Sequence, residues 1–194
     1  MPFEYRNADH SYWLDDRRLE TVTEILERSG IADYRFSNED AMLRGTYVHR
    51  ATEMIDRGTL DWAALDPVLV PYCEAYQRFV EDKRPVILMS EKPMYHPQYL
   101  FAGTPDRVME MDGDIILPDL KSGAPNRATV IQTSTYRELV EVSEGIKCRK
   151  CFSLHLKDTG KYQLSAPVSL MDAKRYFNIF LAALTVERYK KEAA

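Results

Sequence analysis

The sequence predicts an α/β fold in which a central mixed β-sheet is flanked by helices. Two observations carry this. Helical periodicity fills most of an N-terminal part, about residues 20–83, and returns in an amphipathic stretch at about 172–190. Between them, at about 86–166, apolar runs are bounded by Pro and Gly turns and interrupted by one helical segment. The resulting order is helices, three strands, a helix, two strands and a helix. That order describes a sheet with helices on its faces, in one domain over 1–194.

Each element has its local reason. HSYWLDDRRLETVTEILERSG reads as a short hairpin and then a helix. Thr21 or Thr23 caps that helix, Glu24 meets the positive end of its dipole and Gly30 stops it. A second helix runs from about Asn38 or Ala41 to Arg57 and ends at Gly58. A third occupies Trp62 to Lys83, with Pro67 and Pro71 confining its regular part to the later half. VILMSEKPMYH, YLFAGTPDRVMEMDG and DIILPDLKSG read as three strands of a meander, with Asp112-Gly113 as a hairpin turn. Pro118 reads as the mark of an edge or a bulge. ATVIQTSTYRELVEVSEG is helical despite its β-branched residues. KCRKCFSLHLK and KYQLSAPVSL form two strands joined at Asp158-Thr159-Gly160.

Composition narrows the class. With 45% hydrophobic and 29% charged residues, the chain is an ordinary globular one. It has neither a membrane-length apolar run nor a secretory signal. Three cysteines argue against a disulfide framework and fit a reducing cytoplasm. A net charge of −4 excludes a generally basic nucleic-acid coat, so any polyanion must be gripped by a local patch or a bound metal.

Chemistry concentrates where charged residues replace easier apolar ones. In the run from Ile115 to Gly123, Asp119 and Lys121 share a strand face with Ile115 and Leu117. An isolated pair of this kind is most simply a surface ion pair, but here it has company. Asp106 follows a Gly-Thr-Pro kink in the preceding strand and converges with Asp119. Two such carboxylates repel each other unless a cation joins them, and oxygen ligands suit Mg²⁺ or Mn²⁺. Lys121 is placed to hold or deprotonate a water, or to neutralise charge on a phosphate. Together they form a hydrolytic site for a phosphodiester. Gly45, His49 and Glu53 follow one another at four-residue steps along a helix face, as do Gln132 and Tyr136 on another helix.

The ordered set Gly45-x-x-x-His49, Gly103-x-x-Asp106, Asp119-x-Lys121 and Gln132-x-x-x-Tyr136 resembles the RecB-like branch of the PD-(D/E)XK nuclease superfamily. The opening, with Tyr12, Leu14 and TVTEIL, also looks like the phage and mitochondrial-type exonucleases of this branch. The resemblance implies a restriction-endonuclease-like core and a DNA exonuclease dependent on Mg²⁺ or Mn²⁺. It implies metal ligation by Asp106, Asp119, His49 and the Leu120 carbonyl, with Lys121 orienting the attacking water. Gln132 and Tyr136 would contact the DNA strand or support the lysine. Glu53, on the His49 face, and Glu91, on a nearby strand, are lesser candidates.

The expected partner is DNA, single-stranded or with free ends, in recombination, repair or replication, together with a protein of one of those processes. No membrane is expected, and the location is the cytoplasm of a prokaryote or of a phage-infected host. A structure-specific endonuclease and a catalytically inactive DNA-binding scaffold are the alternatives. Some relatives bind an iron–sulfur cluster through four cysteines. With only Cys73, Cys148 and Cys151, and His155 as a formal fourth ligand, no cluster is expected here. Arg44, Arg50, Arg107, Lys147, Arg149 and Lys150 are the candidate substrate grip.

Overall fold

Turn chemistry and capping set most element boundaries. The computed structural model describes residues 2–32, 39–123 and 126–193. Three short strands, β1 (Phe3–Arg6), β2 (Ser11–Leu14) and β3 (Arg17–Thr21), precede α1 (Val22–Arg28). Thr21 and Glu24 exchange side-chain to backbone hydrogen bonds at the head of α1, a reciprocal capping box. α2 is described over Glu39–Asp56, so a start at Asn38 lies outside the described residues. α3 (Val70–Lys83) has Pro71 in its first turn, where the missing N–H costs nothing.

The predicted three-strand meander is instead five strands divided between two sheets. β4 (Val86–Ser90), β7 (Arg107–Met111) and β8 (Asp114–Lys121) join β9 (Lys150–Leu156) and β10 (Tyr162–Leu164) in the order β10-β9-β8-β7-β4. β5 (Met94–Tyr95) and β6 (Phe101–Gly103) leave that sheet to pair with each other and with β3, giving β1-β2-β3-β6-β5. Both sheets are mixed. β8 and β9 run parallel, with α4 (Thr129–Glu144) crossing between them, and β3 and β6 are also parallel. α5 (Leu170–Glu192) closes the chain. The Asp112-Gly113 turn between β7 and β8 has both residues at positive φ, 53° and 77°, as a two-residue type I′ hairpin requires.

Alternation along the strands of the larger sheet feeds two cores. Val108, Leu117 and Cys151 pack with α1, α4 and α5, through Ile25, Leu139 and Phe180 among others. Met109, Ile116, Leu120, Phe152 and Leu154 pack with α2 and α3, through Val48, Tyr76 and Phe79. The architecture is therefore α/β, with mixed sheets flanked by helices. Among the described residues no helix is long and apolar enough to cross a membrane.

Pro118 marks neither an edge nor a bulge. β8 lies inside its sheet, with unbroken parallel register to β9 from Ile116 to Lys121. The Ile115 carbonyl accepts from the Arg149 amide, so the backbone groups of Ile115, Leu117 and Asp119 point toward β9. Those of Ile116, Pro118 and Leu120 then point toward β7. On that side the register ends at Met109–Ile116, just where Pro118 has no N–H to offer. The backbone ladder stops there, and this gap in the ladder holds the site.

Candidate active site

Carried three residues past its end, the β7–β8 register would set Asp106 opposite Asp119. Asp106 sits not within a strand, as the sequence suggested, but in the bend just before β7, because Thr104-Pro105 breaks the run. Its Oδ2 accepts from the Leu120 amide at 2.6 Å, taking the donor left unpaired beyond Pro118. Asp106 and Asp119 are both buried.

Lys121 shares the Asp119 face, as alternation demands, and that face meets α4. Its Nζ lies 2.8 Å from Asp119 Oδ2 and donates to Gln132 Oε1 at 3.2 Å. Asp119 Oδ2 is thus buried against the Lys121 ammonium, the position that a competing cation would take. Gln132 Nε2 donates in turn to the Tyr136 hydroxyl at 3.4 Å. Gln132 and Tyr136 are buried. The chain of contacts runs from Lys121 to Gln132 to Tyr136. Gly103 belongs to the same unit: a Cβ there would stand 2.7 Å from Tyr136 Cε1. Gly45 is under no such constraint, since a Cβ would meet only Ser122 Oγ, at 3.8 Å.

α2 brings His49 over the gap from the other side. Its Nε2 lies 3.2 Å from the Leu120 carbonyl oxygen, and its Nδ1 lies 3.2 Å from Glu91 Oε1 and 3.5 Å from Asp106 Oδ1. One ligand atom each from His49, Glu91 and Asp106 falls within 4.8 Å of the others. Glu91 follows β4 in a left-handed backbone conformation, φ 44°, its amide bonded to the Asp106 carbonyl. Glu53 does not join this group; its partner is Arg57, at 2.7 Å on the same helix.

Arg107 overturns its assignment to the substrate grip. Its side chain is 0% accessible and faces α2 and α3, as alternation with Val108 in β7 dictates. Asp56, Thr52 and Arg107 form a buried polar cluster that sequence reasoning missed. The only trace of it was a helical spacing, Thr52 and Asp56 lying one turn apart on α2, beyond His49.

The electrostatics favour a cation. Burial raises the Asp106 and Asp119 carboxyls above the ordinary range; the His49 and Lys121 charges respectively are the largest opposing influences. Burial acts against a charge on His49, but Asp106 and Glu91 outweigh it and lift its pKa to about 9. With 28% of the His49 side chain exposed, solvent screens part of this. Groups that here hold protons, or a lysine ammonium, against buried carboxylates would be satisfied by a divalent ion. The donors are oxygen-rich with one imidazole, which suits a hard or borderline divalent cation. His49, Glu91 and Asp106 could hold it, with Asp119 and the Leu120 carbonyl at hand. The three cysteines are buried and free, and burial pushes the Cys148 thiol up to about 12.

No protein-family model matches the chain, and no curated protein does. Among solved structures it is similar to a "Putative exonuclease" from Eubacterium rectale, at 12% identity and TM-score 0.48, over 84% of this chain and 74% of that one. It is also similar to an alkaline exonuclease from Laribacter hongkongensis, at 16% identity and TM-score 0.39, over 90% and 92%. At these values the functional reading rests on the chemistry of the site itself.

Proposed function

We propose that this chain is a divalent-metal-dependent deoxyribonuclease of the PD-(D/E)XK type, in its RecB-like branch. It would act as an exonuclease on DNA ends or single-stranded tails in recombination, repair or replication. The observation that carries the reading is the gap between β7 and β8. There two buried carboxylates, a histidine and a third acid converge, and a lysine stands 2.8 Å from Asp119.

In this reading Asp106, Glu91 and His49 would hold Mg²⁺ or Mn²⁺, with Asp119 and the Leu120 carbonyl as further ligands. When bound, the ion supplies Lewis-acid polarisation of the phosphate and acidifies water. Lys121 Nζ directs the attacking water through a hydrogen bond and meets the negative charge that builds on the phosphorane oxygens. Gln132 fixes that ammonium, Tyr136 fixes Gln132, and Gly103 leaves space for the Tyr136 ring. Attack is in line, with no covalent enzyme intermediate.

The test compares end-labelled linear DNA with closed circular single-stranded DNA, with and without Mg²⁺ or Mn²⁺. Metal-dependent loss of the linear substrate alone, abolished by Lys121→Ala, is expected. Cutting of the circle would make the enzyme an endonuclease. DNA binding without cleavage would make the fold a scaffold.

A further inference from the structure

Arg107 touches two of the three residues of the metal-competent cluster, Glu91 and Asp106, and reaches the third, His49, through Thr52. Its Nη1 donates to Glu91 Oε1 at 3.1 Å and to the Asp106 carbonyl at 2.7 Å. Its Nη2 donates to Thr52 Oγ1 at 3.2 Å, and Thr52 Oγ1 donates to the His49 carbonyl at 2.8 Å. Its Nε donates to Asp56 Oδ2 at 2.6 Å, Asp56 Oδ1 accepts from the Tyr76 hydroxyl, and the Tyr76 ring lies 5.9 Å from the guanidinium. Asp56 and Tyr76 thus anchor one edge of the fork on α2 and α3, while the other edge points at the site.

Packing alone does not call for this arrangement. A fully buried guanidinium carries a large desolvation penalty, and well-packed apolar residues often replace such ion pairs with no loss of stability. The planar fork does what an apolar side chain or a lysine cannot: it fixes several acceptors at defined angles at once. One of those acceptors, Glu91, also sits on a left-handed backbone that an ordinary residue avoids, and Arg107 shares with the Glu91 amide the carbonyl that holds this turn.

We propose that Arg107 is the positioning residue of the metal site, orienting the Glu91 carboxylate and locking α2, with His49, against Asp106. This rests on the metal-dependent reading above. Arg107 does not touch ion or substrate; it acts through the groups that do, as partners behind metal ligands do elsewhere.

The experiment is titration of Mn²⁺ alone, followed by electron paramagnetic resonance of the free ion and by calorimetry, with no DNA present. Arg107→Lys is expected to weaken Mn²⁺ binding about tenfold or more. Glu91→Ala weakens it as well, and in that background Arg107→Lys costs only about twofold, because most of its effect runs through Glu91. Losses that multiply across the double variant, or Mn²⁺ binding unchanged in Arg107→Lys, would overturn the proposal. Should Arg107→Lys not fold, as judged by thermal unfolding, Thr52→Val alone and combined with His49→Ala replaces it, since Thr52 joins Arg107 to the His49 carbonyl. A milder loss that shrinks in the double variant is then expected, and an undiminished one overturns the proposal. If the wild-type protein binds no Mn²⁺, the metal-dependent reading falls first and this inference with it; wild-type binding with an indifferent Arg107 removes this inference alone.

Discussion

Two cations lie on opposite faces of one sheet, and they are built for opposite purposes. Arg107, toward α2 and α3, is wholly enclosed and held by Asp56, Glu91, Thr52 and a backbone carbonyl. Lys121, toward α4, keeps 27% of its side chain accessible and rests on Asp119 and Gln132. A guanidinium stays charged and rigid, whereas an ammonium on a flexible stem can move when a stronger cation or a substrate arrives. On the proposed reading the contrast separates a frame from a working group, although the two lie on neighbouring strands.

Removing charge on each side should expose the difference. Asp56→Ala leaves the buried guanidinium short of an anion and is expected to cost about 3–5 kcal/mol in urea unfolding. Lys121→Met is expected to cost no more than about 1 kcal/mol, since Asp119 can take up a proton in place of the lost ion pair. Equal losses would erase the distinction between the faces.

A smaller effect sharpens it through pH. His49 has its folded pKa raised to about 9 by Asp106 and Glu91, so its contribution to the metal-free fold is complete below about 6.5 and is lost as pH rises through about 9. The carboxyls of Asp106 and Asp119 are raised too. Their contribution likewise belongs to low pH and is lost as pH climbs through their elevated values. Mn²⁺ needs all of these groups deprotonated, so its affinity rises over the same span. The difference in Tm between protein in Mn²⁺ and protein in chelator should therefore widen with pH. A constant difference would show that these groups do not bind the ion.

The sequence made some of this legible and hid the rest for physical reasons. The shared face of Asp119 and Lys121 follows from strand alternation, and the Thr21 cap and the Asp112-Gly113 turn follow from local chemistry. The run from Tyr99 to Gly113 reads as one kinked strand because apolar residues stand on both sides of Gly103-Thr104-Pro105. Thr104-Pro105 instead sends its two halves to different sheets and sets Asp106 at the break. Arg107 read as a surface cation because a buried arginine differs from an exposed one only in its partners, and Asp56 lies 51 positions away. Glu91 ranked low for the same reason: its company, His49 and Arg107, is assembled by the fold. Pro118 is anomalous in the sequence, but only the pairing on each side of β8 shows that it opens the ladder on one side alone.

On the proposed reading a divalent cation binds in the gap between β7 and β8, and Lys121 yields its place on Asp119 to it. Anomalous diffraction from a crystal soaked in Mn²⁺ tests it most directly. The account predicts a single-ion peak about 2.0–2.3 Å from carboxylate oxygens of Asp106 and its neighbours, with Lys121 Nζ drawn away from Asp119 Oδ2. An empty gap with Lys121 still seated on Asp119 would contradict it.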